Sequence, residues 1–489
     1  MSLQFKSTRG DKTLITASSA IIKGIAGDGG LYVPCEIPEI DFELKKILEM
    51  DYKELAYEIL KLIISDFTEQ ELKYCIEKAY DEKFDTPFIA PLKTAGGEYF
   101  LELFHGKTLA FKDMALSILP YLLKTSARKN GVNEKIVILT ATSGDTGKAA
   151  LEGFADVEDT KIIVFFPEDG VSAVQKQQMV TQTGKNTCVV GIKGNFDDAQ
   201  TAVKQVFTDK ELNASLKSKG YIFSSANSIN IGRLAPQIVY YFYAYAQMVK
   251  NNEINFGDKI NFTVPTGNFG NILAGFYAKK MGLPVGKLIC ASNDNKVLYD
   301  FFKTGTYNIN REFIITPSPS MDILISSNLE RLLYHICEDT EKVKTLMDGL
   351  KTDKKYDFKV SAGYVIGEYA SKEETFGGIK ELYEKSGYVI DTHTAVAYSA
   401  YKKYKEETGD ITKNVIVSTA SPYKFAKDVC AAIDDKYSSL DPFDALETLS
   451  DLWKEKIPAP INGINKREIL HKTVIEKSEI KTFIENYLQ

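Results

Sequence analysis

Apolar positions along this chain follow two rhythms. Between Phe42 and Lys83 they recur at mixed three- and four-residue spacings among Lys and Glu, the pattern of amphipathic helices. Ahead of them, Gly27-Asp28-Gly29-Gly30 marks a turn that leads into Leu31-Tyr32-Val33-Pro34. Residues 1–97 are therefore expected to form a mainly helical region with a turn-rich start. Beyond it, short β-branched runs alternate with longer amphipathic stretches. Lys135–Thr140, Lys161–Phe166, Asn261–Val264 and Val415–Ser418 read as buried strands. Asp113–Leu123, Lys148–Phe154 and Ile272–Met281 read as helices, and Tyr240–Tyr245 as part of a packed helix rather than an aromatic platform. Strand–turn–helix repetition of this kind predicts an α/β fold with parallel sheets.

Composition narrows the function classes. The chain has 489 residues, 44% hydrophobic and 26% charged, as expected of a water-soluble globular protein of two to four domains. Its formal net charge of -6 argues against nucleic acid or an anionic membrane as partner, since both need a basic face. The six cysteines, Cys35, Cys75, Cys188, Cys290, Cys337 and Cys430, are scattered and form no C-x-x-C, which reads as reduced thiols of a cytoplasmic protein. His105, His335, His393 and His471 show no metal-ligand spacing, so no metal site is expected. The start, MSLQFKSTRGDK, lacks the apolar core of a signal peptide, and no apolar run reaches membrane-spanning length.

Three segments carry candidate chemistry. Two glycine turns, Thr142-Ser143-Gly144-Asp145-Thr146-Gly147 and Gly267-Asn268-Phe269-Gly270-Asn271, stand between a strand and a helix. The unpartnered N–H groups and dipole of a helix start suit an anion there. Taken singly, each turn reads equally well as an ordinary βα connection. Neither matches the nucleotide P-loop or the G-x-G-x-x-G dinucleotide pattern. The third segment runs from Leu101 to Asp113 and holds Lys112 between Phe111 and an expected helix start. An apolar setting at a helix N-terminus disfavours the ammonium form and exposes a nucleophilic amine. From this segment alone, a solvated surface lysine is the simpler reading.

Together these pieces resemble the fold-type-II, or β-family, pyridoxal-phosphate enzymes. In that family a lysine just before a helix carries the cofactor as a Schiff base. More narrowly, the chain resembles the threonine synthase family over nearly its full length. The matching segments start with Ser7-Thr8-Arg9-Gly10, Gly27–Pro34, Leu101–Asp113 and Ala141–Gly147. They continue through Asn227–Arg233, Gly267–Asn271, Pro319–Ile323, Ser327–Arg331, Asp391–Ala397 and Ser418–Phe425. Their order and spread, more than any one of them, make the match specific.

The resemblance implies two parallel-sheet α/β domains with the active site between them, plus the mainly helical N-terminal region. The expected division is 1–97, a smaller domain over 98–225 carrying Lys112, a larger cofactor-phosphate domain over 226–430, and a helical extension over 431–489. Closure of the smaller domain onto the larger is expected to exclude water. Lys112 would carry pyridoxal 5'-phosphate and shuttle the proton. Gly267, Asn268, Phe269, Gly270 and Asn271 would wrap the cofactor phosphate, and Thr419 would meet the pyridine nitrogen. Ser143, Asp145 and Thr146 would bind the substrate carboxylate or sit beside the cofactor O3′. Arg233, with Ser228 and Asn230, would hold a substrate phosphate, with Lys107 nearby to assist. His105 and His393 either line the site or serve as hydrogen-bonded core histidines.

The implied reaction converts O-phospho-L-homoserine and water to L-threonine and phosphate, by γ-elimination then β-hydration. Rival readings are a related phospho-lyase releasing 2-oxobutyrate and a non-catalytic anion-binding α/β protein. The implied partner is a small-molecule substrate, with no nucleic acid and no membrane, on a monomer or homodimer.

Overall fold

In a computed structural model, residues 2–142, 144–168, 171–194, 196–360 and 363–488 are described. The chain opens on a three-stranded antiparallel sheet: β1 (Gln4–Ser7) pairs with β2 (Ile15–Thr16) and with β3 (Tyr32–Pro34). Two helices follow, Tyr52–Ile63 and Glu69–Ala79. Each starts on a reciprocal capping box, Asp51 with Glu54 and Thr68 with Glu71, which satisfies otherwise orphaned N–H groups. The first buries Leu55, Ile59 and Ile63, the stripe that the three/four spacing predicts, and packs on the helix Ile231–Lys250. Tyr240–Tyr245 lies inside that long buried helix.

The strands β4 (Leu92–Ala95) and β5 (Glu98–Glu102) form a hairpin. Next come β6 (Lys135–Ala141), β7 (Thr160–Pro167), β8 (Thr187–Lys193) and β9 (Tyr221–Ser224), then β10 (Ile260–Pro265) and β11 (Val285–Ser292). A small antiparallel ribbon joins β12 (Thr306–Asn308) to β13 (Lys355–Asp357). The last strands are β14 (Val365–Tyr369), β15 (Asn414–Ser418) and β16 (Val474–Glu476). They assemble into a six-stranded sheet of order β14-β11-β10-β15-β5-β4, parallel except at β4, and a parallel five-stranded sheet of order β16-β8-β7-β6-β9. Helices cover both, as the two-sided apolar strands require. The α/β expectation and all four strand positions read from the sequence agree with this fold.

The expected boundaries need correction at three places. The strand β5, placed by pattern in a smaller domain over 98–225, pairs with β15 in the larger sheet, Tyr99 facing Val415 and Glu102 facing Ser418. Lys112 therefore leaves from the larger sheet. The region 431–489 holds the helices Asp444–Trp453 and Ile480–Tyr487, but it also supplies β16 to the edge of the smaller sheet. The helix expected over Asp113–Leu123 is two helices, Asp113–Leu116 and Leu119–Lys129, the second with Pro120 in its first turn, where a missing N–H costs nothing.

Buried ionic contacts tie the N-terminal sheet to the rest. Glu330 accepts from Thr8 Oγ1 at 2.5 Å and from Arg9 Nε and Nη2 at 2.9 and 2.7 Å. The next residue, Arg331, is fully buried and donates to the carbonyls of Tyr32 at 2.9 Å and Ile229 at 2.5 Å. Arg9→Met strands the Glu330 carboxylate in the interior. It should lower unfolding free energy by about 3 kcal/mol, since removing one partner of a buried pair leaves a charge uncompensated. Urea unfolding checks this, and a midpoint equal to that of the parent protein would contradict it.

Candidate active site

The C-terminal ends of parallel strands are where an α/β sheet opens a crevice. Here the ends of β5, β10 and β15 in the large sheet meet the end of β6 in the small one. Each contributes a turn: backbone hydrogen bonds join those after β5 and β15, and side-chain contacts of Asp145 join the turn after β6 to them.

The stretch after β5 runs back along the stretch after β15. Leu103 N–H donates to Ser418 O at 3.0 Å, Phe111 N–H to Thr419 O at 2.8 Å, and Ser421 N–H to Leu109 O at 3.0 Å. Ala110 and Ala420 form an antiparallel bridge. Thr419, buried at the end of β15, thus lies beside the backbone that presents Lys112. Lys112 stands at the N-cap of the helix Asp113–Leu116. The Asp113 carboxylate accepts from Thr108 N–H at 2.8 Å and Thr108 Oγ1 at 2.6 Å, which fixes the turn. Burial pushes the Asp113 pKa up to about 6 against those bonds.

Lys112 is no surface lysine: its side chain is 12% exposed. Its Nζ reaches Asp145 Oδ2 and Ser320 Oγ, both at 3.3 Å. Burial lowers the pKa of this amine, as do the nearby charges of Lys424 and Arg233, while Asp145 opposes them. Asp145 begins the helix Asp145–Phe154 after β6. Its other oxygen accepts from Gln175 Nε2 at 2.8 Å and meets the Lys424 ammonium at 2.7 Å. Burial penalises this carboxylate, but Lys424 and Lys112 outweigh the penalty and hold its pKa well below the ordinary range. The turn before it is shaped by Thr142 Oγ1, which accepts from Gly144 and Gly147 N–H at 3.0 and 3.1 Å. At Gly144, with φ +157°, a Cβ would fall 2.6 Å from the Gln175 side chain, so only glycine lets that amide reach Asp145.

The second glycine turn follows β10. Phe269 adopts the left-handed conformation, φ 63°, and the helix Gly270–Lys280 starts with no side-chain cap. Asn271 Oδ1 accepts from Tyr240 and Tyr241 hydroxyls at 2.6 and 2.8 Å, whereas its buried Nδ2 finds no partner among the described residues. A Cβ on Gly267 would fall 2.6 Å from Ser320 O, so this glycine admits the Pro319–Met321 turn into the site. Ser320 then links the pieces: its Oγ donates to Asp145 Oδ2 at 3.0 Å, and its N–H donates to His393 Nε2 at 3.1 Å. Because Nε2 accepts, the His393 proton sits on Nδ1, which donates to Asp391 Oδ2 at 2.7 Å.

The site residues expected from sequence divide clearly. Lys112 and Asp145 touch, Thr419 lies in the segment hydrogen-bonded to the Lys112 loop, and the turn holding Gly267, Phe269, Gly270 and Asn271 packs at Gly267 on Ser320, whose hydroxyl contacts Lys112. Asn268 is exposed, with its carbonyl holding Asn328 N–H at 3.0 Å. Thr146 is half-buried one residue along from Asp145. Ser143 lies outside the described residues. Arg233 is 3% exposed, donates from Nη1 to Ala226 O at 2.7 Å, and leaves Nε without a partner among the described residues. Burial lowers its pKa to about 10. Ser228 Oγ donates to Asn227 at 3.2 Å. Asn230 is fully buried and spent on structure: Oδ1 accepts Gly232 N–H at 2.9 Å and Nδ2 donates to Ile21 O and Ser225 O at 2.9 and 3.2 Å. Its side chain caps a helix and has no donor left for a substrate phosphate.

Of the two ambiguous histidines, His393 orients Ser320. His105 is clamped between Asp85 and Glu102 at 2.6 and 3.0 Å. Burial works against its charge, yet those two carboxylates push its pKa up to about 9. Lys107 is exposed. Sequence reasoning assigned no role to Ser320, Lys424 or Gln175. Ser320 and Lys424 lie in segments that carry the family resemblance, and that was the available signal.

Pyridoxal phosphate fits these residues. A buried amine of lowered pKa stands ready for an aldehyde, an uncapped helix start offers N–H groups to a phosphate, and buried polar atoms of Arg233 and Asn271 await partners.

Comparison with known proteins agrees. Residues 4–80 match the model for the threonine synthase N terminus, 84–421 that for pyridoxal-phosphate dependent enzymes, and 394–484 that for the threonine synthase C-terminal region. Threonine synthase from Schizosaccharomyces pombe is 37% identical over 468 residues, covering 88% of this chain and 89% of that one. Human threonine synthase-like 1 is 40% identical over 439 residues, covering 86% of this chain; the chain spans only 58% of that relative's length. Among solved structures, yeast threonine synthase superposes with a TM-score of 0.89 at 33% identity, covering 100% of this chain and 99% of that one. The PLP-bound threonine synthase of Brucella melitensis gives 0.87 at 34% identity, with coverage of 100% and 99%. On its sequence, its fold and the make-up of its site, the chain belongs to the threonine synthase family of pyridoxal-phosphate-dependent enzymes.

Proposed function

We propose that this protein converts O-phospho-L-homoserine and water to L-threonine and phosphate, with pyridoxal phosphate carried on Lys112. The observation that carries the reading is the buried Lys112 amine between Asp145 and Ser320, beside a strand-end turn and an uncapped helix start. When bound, the cofactor supplies a conjugated ring that accepts the electron pair left by a departing Cα proton.

The chain's own residues do the rest. Main-chain N–H groups at Gly270 and Asn271 would hold the cofactor phosphate, and the neutral Thr419 hydroxyl would face the ring nitrogen. With substrate bound, Lys112 Nζ takes the Cα proton. Its lowered pKa raises the share of the amine form, so activity is lost as pH falls through that pKa and the amine protonates. Thr146 and backbone N–H groups at the start of the helix Asp145–Phe154 receive the substrate carboxylate. Arg233 presents a guanidinium fork to the substrate phosphate and stabilises it as it leaves. Ser228 is the remaining candidate on that loop. Approach of the smaller sheet to the larger would exclude water during proton abstraction.

The reading extends to location and assembly. All six cysteines are unpaired, which supports a reducing cytoplasm, and no helix among the described residues is long and apolar enough to cross a membrane. A monomer or homodimer is proposed.

Three outcomes follow. The purified protein should show a visible absorption band that borohydride abolishes, and Lys112→Ala should lose both the band and at least about 10³-fold in kcat, the scale of a positioned acid–base group. Amino-acid analysis of products should show threonine; 2-oxobutyrate in its place would overturn the reaction proposed. Arg233→Ala should lower kcat/KM for the phosphorylated substrate by about 10- to 100-fold, the worth of charge-assisted hydrogen bonds. Steady-state kinetics with added inorganic phosphate checks it, since weakened product inhibition should accompany the loss.

A further inference from the structure

The reaction needs Lys112 uncharged, yet Asp145 lies beside it and favours a cation. An ionised carboxylate in this buried place must be balanced by something, and a protonated Lys112 is the nearest answer. The structure holds a second one. The Lys424 side chain is 0% exposed, its Nζ sits 2.7 Å from Asp145 Oδ1, and it donates to Thr108 O at 2.8 Å. It contacts the oxygen that Lys112 does not, and at a shorter distance than the 3.3 Å separating Lys112 from Oδ2. Lys424 rides on the short helical turn Pro422–Phe425, which Ser421 caps, directly after Thr419. The bridge between Ala110 and Ala420 ties that segment to the Lys112 loop, so the backbone that presents the cofactor lysine also fixes the distance to Lys424.

We infer that Lys424 is a positioning residue of this site: its permanently buried ammonium balances Asp145, so that Lys112 is free to work without a proton and a substrate carboxylate can approach. This rests on the reading of Lys112 as the cofactor-bearing lysine. Two like charges, Lys424 and Arg233, disfavour a proton on Lys112, and one unlike charge, Asp145, favours it. Asp145 in turn faces Lys424, Lys112 and His393. Lys424 also faces Asp113 and Lys148. Removal of Lys424 takes away one repulsion and leaves Asp145 with Lys112 as its main counter-ion. Both changes push the proton towards Lys112. Removal of the Asp145 charge does the reverse.

A purely structural Lys424, clamping Thr108 to Asp145, predicts lost stability but no change in how Lys112 titrates. The test is therefore a pH titration of the holoenzyme's visible band, which reports the proton at Lys112 Nζ bonded to the cofactor. Near-UV circular dichroism serves as the check on folding. Lys424→Met should raise the midpoint by about one pH unit. Asp145→Asn should lower it, and the double variant should return close to the parent value, within roughly 0.3 unit, because both charges have gone. A Lys424→Met holoenzyme with an unmoved midpoint would overturn the inference. So would an Asp145→Asn midpoint that does not fall, which keeps the question decidable if Lys424→Met does not fold. Absence of any visible band in the parent protein would instead sink the cofactor assignment to Lys112.

Discussion

A carboxylate moved from water into a protein interior loses several kcal/mol of solvation unless cations and donors replace the water. At Asp145 the replacements are the side-chain nitrogens of Lys424 and Lys112, an amide from Gln175 and a hydroxyl from Ser320. No local stretch of chain can supply such a set. It needs the turn after β6, the loop after β5, the turn at Pro319–Met321, the segment after β15 and the helix Ala173–Val180 at one point. Much of the architecture around the crevice serves that convergence. The glycines at 144 and 267 remove Cβ atoms where Gln175 and Ser320 must pass.

In the proposed reaction, the same geometry would let a site with a carboxylate beside Lys112 accept an anionic substrate. Unscreened, Asp145 would repel a substrate carboxylate and hold a proton on Lys112. With one oxygen committed to Lys424 and Gln175, its field is largely spent inward. The helix start at Asp145 can then offer N–H groups outward, and Arg233 adds positive charge. Its neighbours, more than its own chemistry, give the carboxylate its role.

Much of this was legible in the sequence, with gaps that have physical causes. The strand-to-helix glycine turns and Lys112 before a helix are local features, and both lie where pattern placed them. Which sheet β5 joins is not local: its partner β15 comes from the other end of the chain, and parallel pairing leaves no turn signal to announce it. Asn230 shows a different limit. An Asn just before a helix satisfies either a ligand or the helix's own N–H groups, and the two readings have identical sequence signatures until the Gly232 N–H is seen to occupy its oxygen. Ser320 and Lys424 were invisible as functional groups because a serine in a Pro-Ser turn and a lysine after a tyrosine are ordinary surface residues. Beyond their place in segments that carry the family resemblance, what distinguishes them is contact with Asp145 and, for Lys424, a side chain with 0% exposure.

The N-terminal region belongs in this account as well. Arg331 bonds Tyr32 O in the first sheet and Ile229 O in the loop that leads into the helix carrying Arg233, while the adjacent Glu330 grips Thr8 and Arg9. One helix turn therefore connects the opening strands to the loop before the helix Ile231–Lys250 by buried, charge-assisted bonds. Asn328, just ahead of it, completes the path: its Nδ2 donates to Asn268 O at 3.0 Å and its Oδ1 accepts from Arg331 at 2.5 Å. Loosening the first strands would leave buried charges unpaired in the same turn that braces the loop at Asn268. The region up to Ala79 is thus joined to the surroundings of the site through that brace, with no residue of its own among the described polar contacts of Lys112 and Asp145.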